Sequence, residues 1–152
     1  MKKWHVGILI VVVAASTLAA SSAALAQESL QLVLTDYAFT PNRFVLQSGK
    51  TYQLTLVNRG TVEHEFMAGR QMMMGGEEEH GYMQNFFEGI EVLVQFEGGA
   101  VEVDELVEVE VEPGHQVTLT FTVPDGKRGE WEIACFVSGH YELGMHGALT
   151  VR

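Results

Sequence analysis

An all-β fold, a sandwich or a barrel, is what the sequence predicts. Three observations carry it. Apolar residues recur at every second position along most of the chain, Gly, Pro and Asn turn signals separate these segments, and no internal repeat or linker divides them.

The segments can be taken in order. Leu30 to Leu34 alternates and reads as a strand. Pro41 and Asn42 then signal a turn before a second strand, Arg43 to Gln47. Ser48 to Lys50 turns the chain into Thr51 to Val57, again alternating. Val117 to Val123 is the clearest case, with apolar residues at odd positions and threonine at even ones. Such a strand puts one face on a core and the other in water. Pro124, Asp125 and Gly126 turn the chain into Glu130 to Cys135, and Gly147 to Arg152 supplies a further strand. Trp131 shares the parity of Ile133 and Cys135, which predicts a core position.

Two stretches are less regular. Val101 to Val111 is half acidic and reads as one strand or two; its glutamates suit a solvated face and discourage edge pairing. Residues 68–100, rich in Met, Gly and Glu, have no clean period. They are expected to form a long irregular excursion, with at most a helical turn, held on the sandwich by aromatics such as Phe86 and Phe87.

The first 26 residues read as a secretory leader. Lys2 and Lys3 precede an apolar run from Val6 to Ala20, and Ala24, Leu25 and Ala26 fit a cleavage site that would leave Gln27 first. The run is short for a membrane span, although an uncleaved anchor is the alternative. Residues 27–152 are then expected to form a single domain, exported to the periplasm or another extracytoplasmic space. Losing Lys2 and Lys3 takes the 9 basic residues to 7 against 20 acidic ones, a formal charge of −13. Such a surface repels nucleic acid and anionic lipid, and steers a cationic partner.

The chemistry concentrates around the one cysteine, Cys135. In an oxidising compartment cysteines usually pair, and a lone one points to an intermolecular bridge, a reactive thiol or a metal ligand. His140 and Met145 follow it with four residues in each gap, and His64 lies far upstream at the end of an expected strand. Two imidazoles, a thiolate and a weak thioether are the ligand set of a blue-copper site, which suits both Cu(II) and Cu(I) and so lets an electron move with little rearrangement. Gly139 and Gly144 let the loop turn tightly between its donors. His64 must come from another strand, because one loop cannot surround an ion.

These residues carry a family resemblance. From about Leu30 to Arg152 the chain is similar to a cupredoxin of the plastocyanin and azurin kind. Tyr37 to Pro41, Gly49 and Leu54 to Asn58 resemble the family's opening strands; Asn58 to Phe66 resembles its first-ligand segment; Cys135 to Gly147 resembles its ligand loop. The loop spacing is similar to that of auracyanins and rusticyanin. A binuclear copper centre of the terminal-oxidase type needs two cysteines and is excluded. The resemblance implies a Greek-key β-sandwich holding one type 1 copper on His64, Cys135, His140 and Met145. It also implies electron entry and exit at the exposed edge of His140, and transient redox partners, here with a basic docking surface. The departure is the Met-rich, acidic excursion.

The remaining candidates have plainer readings. His146, His115 and His80 are expected to be exposed loop or turn residues. Met67, Met83 and the run Met72 to Met74 could bind Cu(I), but gap-filling under a long loop is the favoured reading. A copper carrier or resistance protein is the alternative to an electron carrier. An enzyme is disfavoured, because a copper oxidase needs a further site built from additional histidines, and those outside the proposed site are scattered.

Overall fold

The computed structural model describes residues 27–74 and 80–152. The expected leader lies outside these residues. Among the described residues twelve strands follow in order: β1 (Glu28–Thr35), β2 (Ala38–Thr40), β3 (Arg43–Leu46), β4 (Thr51–Asn58), β5 (His64–Met74), β6 (His80–Asn85), β7 (Val92–Phe96), β8 (Gly99–Val103), β9 (Val109–Val111), β10 (Gln116–Thr122), β11 (Gly129–Ala134) and β12 (His146–Val151). One 3₁₀ turn, Asp125–Lys127, separates β10 from β11.

Two sheets face each other. One runs β2-β1-β4-β10-β7-β8; the other runs β3-β12-β11-β5-β6, with β9 paired to the start of β5. β1 lies parallel to β4, and β12 parallel to β3, so the chain crosses between sheets in the manner of a Greek key. The alternation in β4 is realised: Tyr52, Leu54, Leu56 and Asn58 are buried while the residues between them are half exposed. Leu32, Leu34, Leu56, Phe86, Phe87, Leu119, Phe121, Trp131 and Ile133 belong to one core between the sheets. Phe86, Phe87, Phe121 and Trp131 meet edge to face there, with centroids 5.0–6.3 Å apart.

The expected irregular excursion at 68–100 is corrected. β5 runs on to Met74 and turns back through β6, pairing Gly69 with Asn85 and Met72 with Tyr82; β7 and β8 then extend the other sheet. The period is hidden because this hairpin packs on its outer side as well. Met67, Tyr82, Ala134 and Phe136 form a second buried cluster, with Met72 and Tyr141 against it. Neither face of β5 is purely polar, so no alternation shows. Phe86 and Phe87 do anchor the region in the core, as expected. The acidic stretch 101–111 resolves into two strands, the end of β8 and β9.

Among the described residues, no helix is long and apolar enough to cross a membrane.

Candidate metal centre

The end of β4 sets the first element. Asn58 is buried, and its side-chain amide donates to the carbonyls of Val62 (2.8 Å) and Val111 (2.7 Å) while its Oδ1 accepts the N–H of Gly60 (2.8 Å). One side chain thus ties the loop 59–63 to β9 and aims the first residue of β5, His64, into the interior.

The second element is the loop after β11. The N–H of His140 bonds the carbonyl of Val137 (2.9 Å), Met145 bonds back to His140 (3.0 Å), and Cys135 donates to Met145 (3.1 Å). Gly139 and Gly144 have φ of 82° and 102°, a region where side chains are disfavoured, so the loop closes as its glycines predict. The backbone bonds bring Met145 beside both Cys135 and His140, and Met145 is fully buried.

His64, Cys135 and His140 converge. His64 Nδ1 lies 3.3 Å from His140 Nδ1, and Cys135 Sγ lies 3.3 Å from the same His140 nitrogen. All three are buried, and their donor atoms lie within 4.8 Å of one another. Two imidazole nitrogens and a sulfur aimed at one point are a soft-to-borderline donor set that a copper ion fits.

The surroundings favour the uncharged forms of Cys135 and His64. Burial pushes the Cys135 thiol up, against the backbone N–H groups of Glu65 and Val137 that bond its sulfur. Burial and His140 push His64 down. The uncharged thiol and imidazole are therefore favoured, and a cation that binds here must displace the thiol proton.

Outer contacts that the sequence did not flag complete the site. Glu65 donates its N–H to Cys135 Sγ (3.3 Å), and its carboxylate accepts the N–H of Phe136 (3.1 Å). Asp36 Oδ1 accepts the N–H of Thr61 (2.8 Å), Asp36 Oδ2 accepts its hydroxyl (2.8 Å), and these bonds hold the carboxyl below the usual range. Asp36 Oδ1 also lies 3.5 Å from His64 Nε2. Tyr37 sets its ring edge-on to His140, with centroids 5.1 Å apart. Only the alternation of Glu65 with its buried neighbours could have hinted at any of these, since the contacts are made across space.

The other candidates fall as follows. Trp131 is core, and its indole N–H donates to Lys127 O (2.7 Å). His115 is exposed in its turn. His146 is exposed but opens β12, stacked on Tyr141 at 4.8 Å, so it is not a loop residue. His80 opens β6, again a strand position. Met67 is buried and Met72 half-buried in the outer cluster, whereas Met83 is 69% exposed.

Comparison with known proteins places this geometry. Residues 7–79 match the family model described as a cupredoxin-like domain, a span that includes His64 and stops before Cys135. The chain is 30% identical over 147 residues to the copper-resistant cuproprotein CopI of Pseudomonas aeruginosa, covering 87% of this chain and 80% of that protein. It is 28% identical over 131 residues to the protein of the same name from Rubrivivax gelatinosus, covering 86% and 70%. Its fold is similar to that of reduced auracyanin from Roseiflexus castenholzii, at a TM-score of 0.52 and 19% identity over 82% of this chain and 96% of that one. It also superposes on part of a multicopper oxidase from Campylobacter jejuni, at a TM-score of 0.52 and 12% identity over 82% of this chain but 30% of the oxidase. The family-model match and the identity to CopI, together with two facing sheets and a His-Cys-His cluster built from the head of β5 and the loop after β11, show that the chain belongs to the cupredoxin family.

Proposed function

We propose that the protein is an exported, mononuclear type 1 copper protein that carries single electrons, with residues 27–152 as its one domain. The observation that supports this most is the convergence of the buried side chains of His64, His140 and Cys135 through His64 Nδ1, His140 Nδ1 and Cys135 Sγ. In this reading those three side chains would be the strong ligands and Met145 would supply the weak fourth donor. Copper, when bound, supplies the Cu(II)/Cu(I) couple. The chain's own part is to fix the donors on strand ends and a tightly bonded loop, so that geometry changes little between the two states. The N–H of Glu65 on the cysteine sulfur stabilises negative charge there and tunes the couple.

The formal charge of −13 expected for the mature chain favours brief, salt-sensitive encounters with basic redox partners. Catalytic turnover is not part of the proposal. Among the described residues, His64, Cys135 and His140 form the one group of side chains that could hold a metal ion.

The test is visible absorption and EPR of the Cu(II)-loaded protein beside Cys135→Ala. An intense visible band with narrow copper hyperfine splitting, lost in the variant, is expected. Pale tetragonal copper in the unmodified protein would overturn the assignment.

A second reading has its own support. The two curated relatives are named for copper resistance. On that reading the same site holds copper for tolerance rather than for electron flow. Complementation of a copper-sensitive strain by protein with slow electron self-exchange would favour it.

A further inference from the structure

One short turn reaches both histidines of the metal centre. Between β1 and β2 the chain has only Asp36 and Tyr37. Asp36 lies at the ring of His64 and Tyr37 lies at the ring of His140. Tyr37 holds φ at 68°, a left-handed conformation that an aromatic residue seldom takes, and there its ring meets His140 at an interplanar angle of 83°.

The Asp36 contact has a chemical reason. His64 Nδ1 faces His140 and Cys135, so a metal ion would take that nitrogen and leave the ring proton on Nε2. His64 Nε2 is fully buried, and no hydrogen bond reaches it. A buried N–H without an acceptor is costly. The carboxylate that faces it is Asp36 Oδ1, at 3.5 Å, slightly beyond a good hydrogen bond.

Gly60 gives independent support. A Cβ added there would run into Asp36 Oδ1 and lie 2.6 Å from His64 Nε2. Its φ is not in the left-handed region, so the need is for space rather than for backbone freedom. Glycine at this position keeps the gap between carboxylate and imidazole clear.

We propose that Asp36 is a positioning residue for the metal centre: its carboxylate accepts the Nε2–H of His64 when Nδ1 binds copper, and Tyr37 in the same turn steadies the His140 ring. This rests on the type 1 copper reading above. A carboxylate behind a ligand imidazole fixes its tautomer and makes it a stronger donor. That stabilises Cu(II) more than Cu(I), so Asp36 lowers the reduction potential.

The experiment compares the unmodified protein with Asp36→Asn, Asp36→Ala, Gly60→Ala and Glu63→Gln. Asp36→Asn can keep the Thr61 bond and so preserves the turn if the alanine variant does not fold. Glu63→Gln removes a neighbouring charge but leaves the Asp36 contact in place. Two quantities are read: the reduction potential, and the His64 ring-nitrogen shifts with Nε2–H exchange in the diamagnetic Cu(I) protein. Loss of an outer-shell partner typically costs roughly 10–100-fold in metal affinity. A tenfold differential loss of Cu(II) over Cu(I) is a rise of about 59 mV.

The expected result is a higher potential and faster Nε2–H exchange in Asp36→Asn and Gly60→Ala, with little change in Glu63→Gln. Unchanged His64 shifts in Asp36→Asn, or an equal potential rise in Glu63→Gln, would overturn the proposal. If the unmodified protein forms no type 1 centre, the copper reading fails. The same His64 resonances in the metal-free protein then decide the contact: sensitivity to Asp36→Asn supports it, and insensitivity overturns it.

Discussion

Glu65 grips the segment of Cys135 from two sides, giving its N–H to the sulfur and taking the N–H of Phe136 on its carboxylate. The first bond selects the thiolate when a metal is present. The second holds the chain directly after the cysteine. Glu65 also stands opposite Glu110 in the β5–β9 ladder, so the grip is built into an acidic strip.

That setting makes stability depend on pH. Burial pushes Glu65 up, and Glu108, Glu110 and Glu63 add to it against the Phe136 bond. Burial, with Glu110 and Glu112, pushes Glu63 the same way. The folded protein therefore binds these protons more tightly than the unfolded chain. Their stabilisation is complete below the ordinary glutamate value, about 4.3, and is lost as pH rises through the raised folded values. The contribution of Glu63 and Glu65 to the stability of the metal-free protein is expected to fall across that window, so Glu65→Gln is expected to shift the pH slope of denaturant melts upward relative to the unmodified protein.

Asn58→Ala is expected to cost about 2–3 kcal/mol, because it leaves the Val62 and Val111 carbonyls without their donor in a buried place. Urea denaturation of the metal-free protein measures it. Copper affinity should fall as well, since Asn58 sets the approach to His64.

Met145→Leu separates the axial role from packing. Leu and Met have similar volume, so a fully buried site should lose less than about 1.5 kcal/mol. If the thioether is the weak ligand, the copper centre persists with a higher potential by voltammetry. An unchanged potential would leave Met145 a packing residue.

Gly69→Ala tests the hairpin that replaced the expected excursion. A methyl group there would strike the ring of Tyr82, which packs across β5 and β6. Overpacking of this kind costs about 1–3 kcal/mol, readable as a lower Tm by calorimetry. The loss should be larger than for a substitution at Gly89, where nothing lies within 4 Å but the positive φ of 70° adds only local strain.

The fold was legible wherever one face of a strand meets water. β4 and β10 alternate because threonine or glutamine faces out while leucine, tyrosine or phenylalanine faces in. It was illegible in β5 and β6, where Met67 and Tyr82 bury the outer face too. Cys135, His140 and Met145 could be read from spacing because one loop carries them. His64 drew on the family resemblance as well as on the need for a second imidazole, and its meeting with His140 spans 76 residues. The contacts of Asp36, Tyr37 and Glu65 at the site could not be read, because an ordinary turn residue or strand glutamate carries no local mark of what it will touch.

That 76-residue separation orders events in time. The first imidazole stands at the head of β5, and its partners come only after β11 has crossed beside it. During synthesis a growing chain shows the imidazole long before the thiol exists. An ion has no complete set of donors to meet until β11 has paired beside β5 within one sheet. A copper ion that binds the folded chain there would stabilise it more as its free concentration rises.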